Sequence, residues 1–155
     1  KERAYLHLTV ASALSQHWVQ QHLRLANVQG ADMLRIALPE ALGLQFVQET
    51  YGEKAMEELR EQKNKLYNKD RYNDPNGEPP LLYADGKEYL EINKGALVLY
   101  DWAQELGPKR FYASLVQLSQ ESEQLTFYEW YPRLLSLTET PGQEYWNKQI
   151  EEVLP

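Results

Sequence analysis

The sequence contains no cysteine in its 155 residues. Disulfide bonds and thiolate metal sites are therefore excluded, but the cellular compartment is not identified, because many periplasmic proteins also lack cysteine. No apolar run approaches the roughly 20 residues that a membrane-spanning helix needs, and no basic-then-apolar signal segment is present. We therefore expect no direct insertion of these residues into a membrane.

Basic residues are also few relative to acidic ones. The net charge is −7 at pH 7, and lysine and arginine are scattered singly, so no basic stripe is available to neutralise a phosphate backbone. We expect no nucleic-acid partner. Because the chain opens at Lys1 directly in a helical pattern and has a length typical of one hydrophobic core, we interpret residues 1–155 as a single domain cut from a longer protein.

Apolar residues recur at helical spacing through most of the chain, and no segment alternates with a period of two for long enough to indicate a sheet. The pattern predicts an all-α domain of about six to seven helices. The first helix would cover residues 4–26 and the second residues 31–51, with a kink or restart at Pro39 and an end at Gly52. One face of the first helix carries four apolar residues at steps of four: Leu6, Val10, Leu14 and Trp18.

The remaining segments are a charged third helix, "EKAMEELREQKNKLYNKDRY", a long loop rich in proline and glycine, and four further helices. These four are "GALVLYDWAQEL", "PKRFYASLVQLSQ", "LTFYEWYPRLLSL" and "TPGQEYWNKQIEEVL". The acidic residues on the charged helices are expected to form solvated faces. The four tryptophans at helical positions are expected mainly in the core: Trp18, Trp102, Trp130 and Trp146.

Two of the three histidines lie in "TVASALSQHWVQQHL". A helical zinc-peptidase site needs two histidines four residues apart with a glutamate between them. His17 and His22 are five apart, which places them roughly 140° apart around a helix, and His7 is too distant to join them. We interpret the histidines as surface or packing groups. The sequence also lacks a Gly-rich phosphate loop, a G-x-S-x-G motif and a cysteine nucleophile.

The fragments "ANVQGADML", "VQETYG" and "NKGALVLY" occur in an order that resembles the helical lobe of the aminopeptidase N family of zinc metallopeptidases. The resemblance covers residues 5–118 and is greatest to members of these gluzincins that are fused to ABC-transporter-type permeases. It implies a thermolysin-like catalytic-domain lobe. In that family the first helix carries H-E-x-x-H, the second helix supplies a glutamate as the third zinc ligand, and a tyrosine before K-G-A-L-V stabilises the transition state.

The resemblance places different residues at all five of these functional positions. Ser12 and Gln16 stand at the two histidine positions, Ala13 at the glutamate between them, Ile36 at the third ligand and Ile92 at the tyrosine. Isoleucine can neither bind a metal nor donate a proton. The resemblance therefore implies a pseudo-peptidase with a vestigial site, no bound zinc and no other cofactor.

The function implied by the resemblance is that of a scaffold or partner-binding module of a larger, membrane-associated bacterial transporter protein. Its partner would be a protein or peptide, such as the rest of the permease, on the extracytoplasmic (periplasmic) side. Two alternatives remain open. The vestigial groove, with Ile36 and Ile92 as an apolar floor, would bind peptides without hydrolysis. An enzyme of unrelated chemistry would instead need a convergent polar cluster, which the sequence does not display.

Overall fold

The computed structural model describes residues 2–153, which contain seven α-helices and no β-strand. This confirms the all-α prediction and the expected number of helices. The helices are α1 (Glu2–His22), α2 (Leu38–Tyr51), α3 (Glu53–Asn73), α4 (Ala96–Leu106), α5 (Pro108–Glu121), α6 (Phe127–Leu137) and α7 (Thr140–Glu151). No helix within residues 2–153 is both long and apolar enough to cross a bilayer.

Two of the helices are preceded by a wide π-helical turn. Met33–Ala37 leads into α2 and Leu90–Gly95 leads into α4. We call them the first and second π turns. Hydrogen bonds in such a turn run over five residues instead of four, so the turn holds one extra residue. The restart that the sequence predicts at Pro39 lies at the junction between the first π turn and α2, where the missing N–H of a proline is tolerated.

The first helix ends earlier than the sequence predicts, at His22 and not at residue 26. Beyond His22 the backbone becomes extended and pairs with Leu125, which precedes α6. Leu125 N donates to the carbonyl of Arg24 over 2.7 Å, and Ala26 N donates to the carbonyl of Leu125 over 2.9 Å. These non-local hydrogen bonds replace the last helical turn, and helical periodicity gives no indication of them.

Helix α2 is central, because it packs against α1, α3 and α4. It approaches α1 closely at Gly43, where an added Cβ atom would lie 2.4 Å from Ser12 Oγ and 3.2 Å from Ser12 N. The inward face of α1 contains small side chains between Leu8 and Val19, which are both buried. Small residues on both helices therefore allow the two backbones to lie close together.

The core is continuous and rich in aromatic side chains. Trp102 and Trp130 are fully buried, and each indole N–H donates a 2.9 Å hydrogen bond, to Thr138 Oγ1 and Ser114 Oγ respectively. Trp146 is buried as well and stacks on Trp102 with ring centroids 5.2 Å apart. The core prediction for these three tryptophans is confirmed.

Trp18 does not follow the prediction, because its side chain is 45% exposed. It belongs to the apolar row predicted on α1, which is largely exposed and borders α2 only at its edge. We call this row the outer face of α1; its members are Leu6 (59% exposed), Val10 (50%), Leu14 (66%) and Trp18. Periodicity shows correctly that these residues share a face, but the smaller residues of α1 pack against α2.

Candidate functional site

An open pocket of about 380 Å³ lies between α1, α3 and the two π turns. Its apolar lining includes Leu8, Ile36, Leu59 and Ile92, and its polar lining includes Gln16, Gln62 and Asn93. The pocket therefore combines an apolar floor with hydrogen-bonding groups at its wall, which is the usual character of a binding site for a small organic molecule or a peptide side chain.

All five positions assigned by the resemblance line this pocket: Ser12, Ala13, Gln16, Ile36 and Ile92. Ser12 and Gln16 lie one helical turn apart on α1, whereas the isoleucines come from the two π turns. The π turns contact one another, since an added Cβ at Gly95 would lie 3.2 Å from Ala37 Cβ. Residues from three separate segments are thus brought together, but none of the five carries an imidazole or a carboxylate.

Ile36 and Ile92 share an unusual backbone environment, because each lies within a π turn. π-helical geometry is rare and occurs frequently at functional sites, where the extra residue changes the direction of the neighbouring side chains. The fold therefore departs from regular α-helix at two points that form the pocket floor. No compositional or periodic signal in the sequence identifies these turns.

A buried ion pair between Lys63 and Glu40 forms one wall of the pocket. Lys63 Nζ lies 2.6 Å from Glu40 Oε1 and donates a 2.9 Å hydrogen bond to the carbonyl of Ile92. Burial lowers the pKa of Lys63 below its ordinary value, and the carboxylate of Glu40 acts in the opposite direction. The pair links α3 to α2 and to the second π turn, so it fixes the position of Ile92.

The structure provides no activated nucleophile at the position of Ser12. Its hydroxyl oxygen is buried and has no hydrogen-bond partner. A catalytic serine needs an adjacent base to accept its proton. The pocket therefore lacks, among the described residues, the serine–base pair that an unrelated hydrolytic chemistry at Ser12 would require.

The three histidines do not converge. His7 Nδ1 hydrogen-bonds with the hydroxyl of Tyr51, and His22 stacks on Trp18 with ring centroids 5.0 Å apart. His17 is exposed on α1. Within residues 2–153, no group of three closely spaced metal-ligating side chains contains a histidine. These positions agree with the interpretation of the histidines as surface and packing groups.

The comparisons with known proteins found no match. This holds for protein-family models, for curated proteins and for solved structures.

One group of potential metal ligands does occur within the described residues, outside the lining of the pocket. One oxygen from each of Asp32, Asp85 and Glu91 lies within 4.8 Å of the other two. This group has no signal in the sequence, because its members lie in three separate segments and each resembles an ordinary turn or surface carboxylate.

Proposed function

We propose that this chain is a catalytically inactive domain of the zinc-aminopeptidase type that serves as a scaffold or partner-binding module. The observation that supports the proposal is the convergence of Ser12, Ala13, Gln16, Ile36 and Ile92 in one pocket that offers no imidazole or carboxylate at those positions. The larger setting, a membrane-associated transporter protein with this domain on its extracytoplasmic side, rests on analogy with the permease-fused members of the family alone.

The outer face of α1 supports the partner-binding role. Two shallow apolar depressions share Leu14: one also includes Phe46, and the other includes Tyr112 and Val116. Phe46 is 45% exposed and Val116 is 44% exposed, so the apolar surface continues from α1 onto α2 and α5. Contiguous exposed apolar surface of this kind is typical of protein interaction sites. The partner would therefore be a protein with a complementary apolar surface.

The proposed lack of activity predicts that the purified chain contains no stoichiometric zinc and releases no product from chromogenic amino-acyl substrates. Ser12, Gln16 and Ile36 cannot supply the three nitrogen or oxygen ligands of a catalytic zinc site. Elemental analysis after dialysis measures the zinc content, and a panel of substrates with added zinc measures the activity. One zinc per chain that persists in the variant His17→Ala/His22→Ala/Asp85→Asn would contradict the proposal, since that variant removes binding to exposed histidines and to the carboxylate group at Asp85.

The apolar floor of the pocket favours a second candidate, a peptide-binding domain without hydrolysis. Ile36 and Ile92 lie beside the polar groups of Gln16 and Asn93, an arrangement able to hold an apolar side chain and a peptide backbone together. Binding would be weak, because an open pocket buries only part of its ligand. This candidate concerns the pocket, whereas the scaffold role concerns the outer face of α1.

If the pocket binds peptides, Ile92→Asp should weaken the binding of short apolar peptides at least about tenfold. Burial of one isoleucine side chain contributes roughly 1.5–3 kcal/mol, and a carboxylate at this position would have to lose water on peptide binding. Isothermal titration with tri- and tetrapeptides measures the change. Leu14→Asp, on the outer face of α1, is the matched control and should leave peptide affinity unchanged.

Thermal melting of both variants first establishes that they fold. Equal peptide affinity in the wild type and in Ile92→Asp would exclude the pocket as the binding site. Absence of binding by the wild type would leave the scaffold role as the remaining form of the proposal.

A further inference from the structure

Three carboxylates from separate segments meet near the beginnings of the two π turns. Asp32 directly precedes the first π turn, Glu91 lies within the second, and Asp85 lies in the loop between α3 and the second π turn. Backbone amides hold them in place. Asp85 accepts hydrogen bonds from Gly30 N over 2.8 Å and from Asp32 N over 3.2 Å. Gly86 N lies 3.1 Å from both Asp32 Oδ2 and Glu91 Oε1.

Glu91 is the buried member of this carboxylate cluster, with 0% exposure. Its Oε1 accepts the hydrogen bond from Gly86, but its Oε2 is buried and has no hydrogen-bond partner. A buried carboxylate oxygen without a partner is costly, and native proteins normally satisfy such an atom with a donor or a cation. This orphaned oxygen is an observation independent of the clustering of acidic residues.

The negative charge of the cluster is only partly compensated. Arg35 pairs with Asp32 at 3.2 Å, and within residues 2–153 no ion pair reaches Asp85 or Glu91. The partly uncompensated negative charge around Glu91 therefore favours a positive ion at this position.

We propose that Asp32, Asp85 and Glu91 bind one divalent cation of the Ca²⁺ class. Three oxygens within 4.8 Å of one another need shifts of at most a few tenths of an ångström to lie all at the 2.3–2.6 Å distance that Ca²⁺ prefers. An ionised carboxylate has about four lone-pair sites, so each residue keeps its backbone hydrogen bonds while it binds the ion. Asp85 is exposed, which gives the ion a route from solvent and leaves room for water ligands.

The donor set favours Ca²⁺ over Mg²⁺ and Zn²⁺. All three ligands are hard oxygens from three separate segments of the chain, and Ca²⁺ tolerates irregular coordination, whereas Mg²⁺ requires near-octahedral geometry at 2.0–2.1 Å. The bound ion would connect the turn before the first π turn, the loop at Asp85 and the second π turn. It would therefore stabilise the segment that carries Ile92, independently of whether the proposed function is correct.

The test is a thermal melt of the whole chain at neutral pH in EDTA, in millimolar CaCl₂ and in millimolar MgCl₂, together with calorimetric titration of Ca²⁺. We expect CaCl₂ to raise the melting temperature of the wild type by several degrees and MgCl₂ to raise it less, because an ion that binds only the folded state stabilises it. Glu91→Gln should abolish the Ca²⁺-dependent shift while its amide oxygen preserves the acceptor for Gly86 N.

Glu123→Gln, an exposed substitution with the same change of charge, is the matched control and should keep the full shift. If Glu91→Gln does not fold, Asp85→Asn at the exposed member of the cluster replaces it and should also lose the shift. The proposal is overturned if the wild type shows neither a shift nor binding heat with Ca²⁺. Equal shifts in the wild type and in the cluster variant would also overturn it, because they indicate binding elsewhere on the surface.

Discussion

The triple variant Ser12→His/Gln16→His/Ile36→Glu is expected to melt below the wild type in chelator and to gain about 5–10 °C when zinc is added at one hundred times its Kd. A ligand at that excess stabilises the folded state by about 2.7 kcal/mol, and 1 kcal/mol corresponds to about 2–4 °C for a domain of this size. Without metal, a charged group at Ile36 costs stability. The wild type should show no response to zinc.

The geometry of the pocket supports this expectation. Ser12 and Gln16 project from one face of α1, and Ile36 lines the same pocket. The side chain of Ser12 lies against Gly43, so a larger imidazole has space only on the side of the pocket. Two histidines and a glutamate would then form the three-ligand set of a catalytic zinc site.

The double variant Ser12→His/Gln16→His is the matched control, because it lacks the third ligand and should show a smaller zinc-dependent shift. Differential scanning calorimetry with and without zinc measures all three proteins. A triple variant that folds yet does not respond to zinc would show that the three positions do not converge as a zinc site requires. The alignment on which the proposed function depends would then be wrong.

Gly43→Ala is expected to destabilise the domain by about 1–3 kcal/mol, the usual cost of overpacking, which lowers the melting temperature by about 2–12 °C. The new methyl group would lie 2.4 Å from Ser12 Oγ, 3.0 Å from Leu8 Cδ1 and 3.2 Å from Ser12 N. Alanine normally stabilises a helix relative to glycine by about 1 kcal/mol. A loss of stability in Gly43→Ala would therefore show that the new methyl group collides with α1. Thr50→Ala, at an exposed position of α2, is the control.

A second substitution tests whether the contact with Ser12 is the cause of this destabilisation. Ser12→Ala alone should be neutral or slightly stabilising, because the hydroxyl oxygen it removes is buried without a hydrogen-bond partner. In the Ser12→Ala background, Gly43→Ala should lose part of its destabilising effect, since the closest of its three contacts is gone while those with Leu8 Cδ1 and Ser12 N remain. Chemical denaturation of the four proteins completes the cycle. Additive effects of the two substitutions would contradict the close approach of α1 and α2.

The helices could be predicted from the sequence because their apolar residues repeat with the period of a helix and because Gly52 and Gly107 mark two of their ends. The orientation of α1 could not be predicted. Its most apolar row, which contains Leu14, lies outside, because small residues such as Ala4 and Ser12 allow closer packing on α2. Periodicity identifies a shared face but not the face that a neighbouring helix selects.

The candidate site, too, could be predicted from the sequence only in part. Ser12 and Ile36 could be identified as candidate site positions only through the family resemblance, because a serine and an isoleucine do not by themselves indicate a functional site. The Lys63–Glu40 pair and the orphaned oxygen of Glu91 could not be predicted. Their residue types are typical of solvated surfaces, and only the tertiary fold determines that these particular charges are buried.

The two π turns also bear on how the length of this chain can vary. Each turn holds one residue more than the α-helical turn that would replace it, so the loss of one residue from Met33–Ala37 or from Leu90–Gly95 can be absorbed by closure to regular helix. The flanking helices then keep their phase and their core contacts, while a different side chain replaces Ile36 or Ile92 at the pocket. Single-residue deletions in these two turns would therefore change the side chains that line the pocket. The helix topology and the core would stay the same.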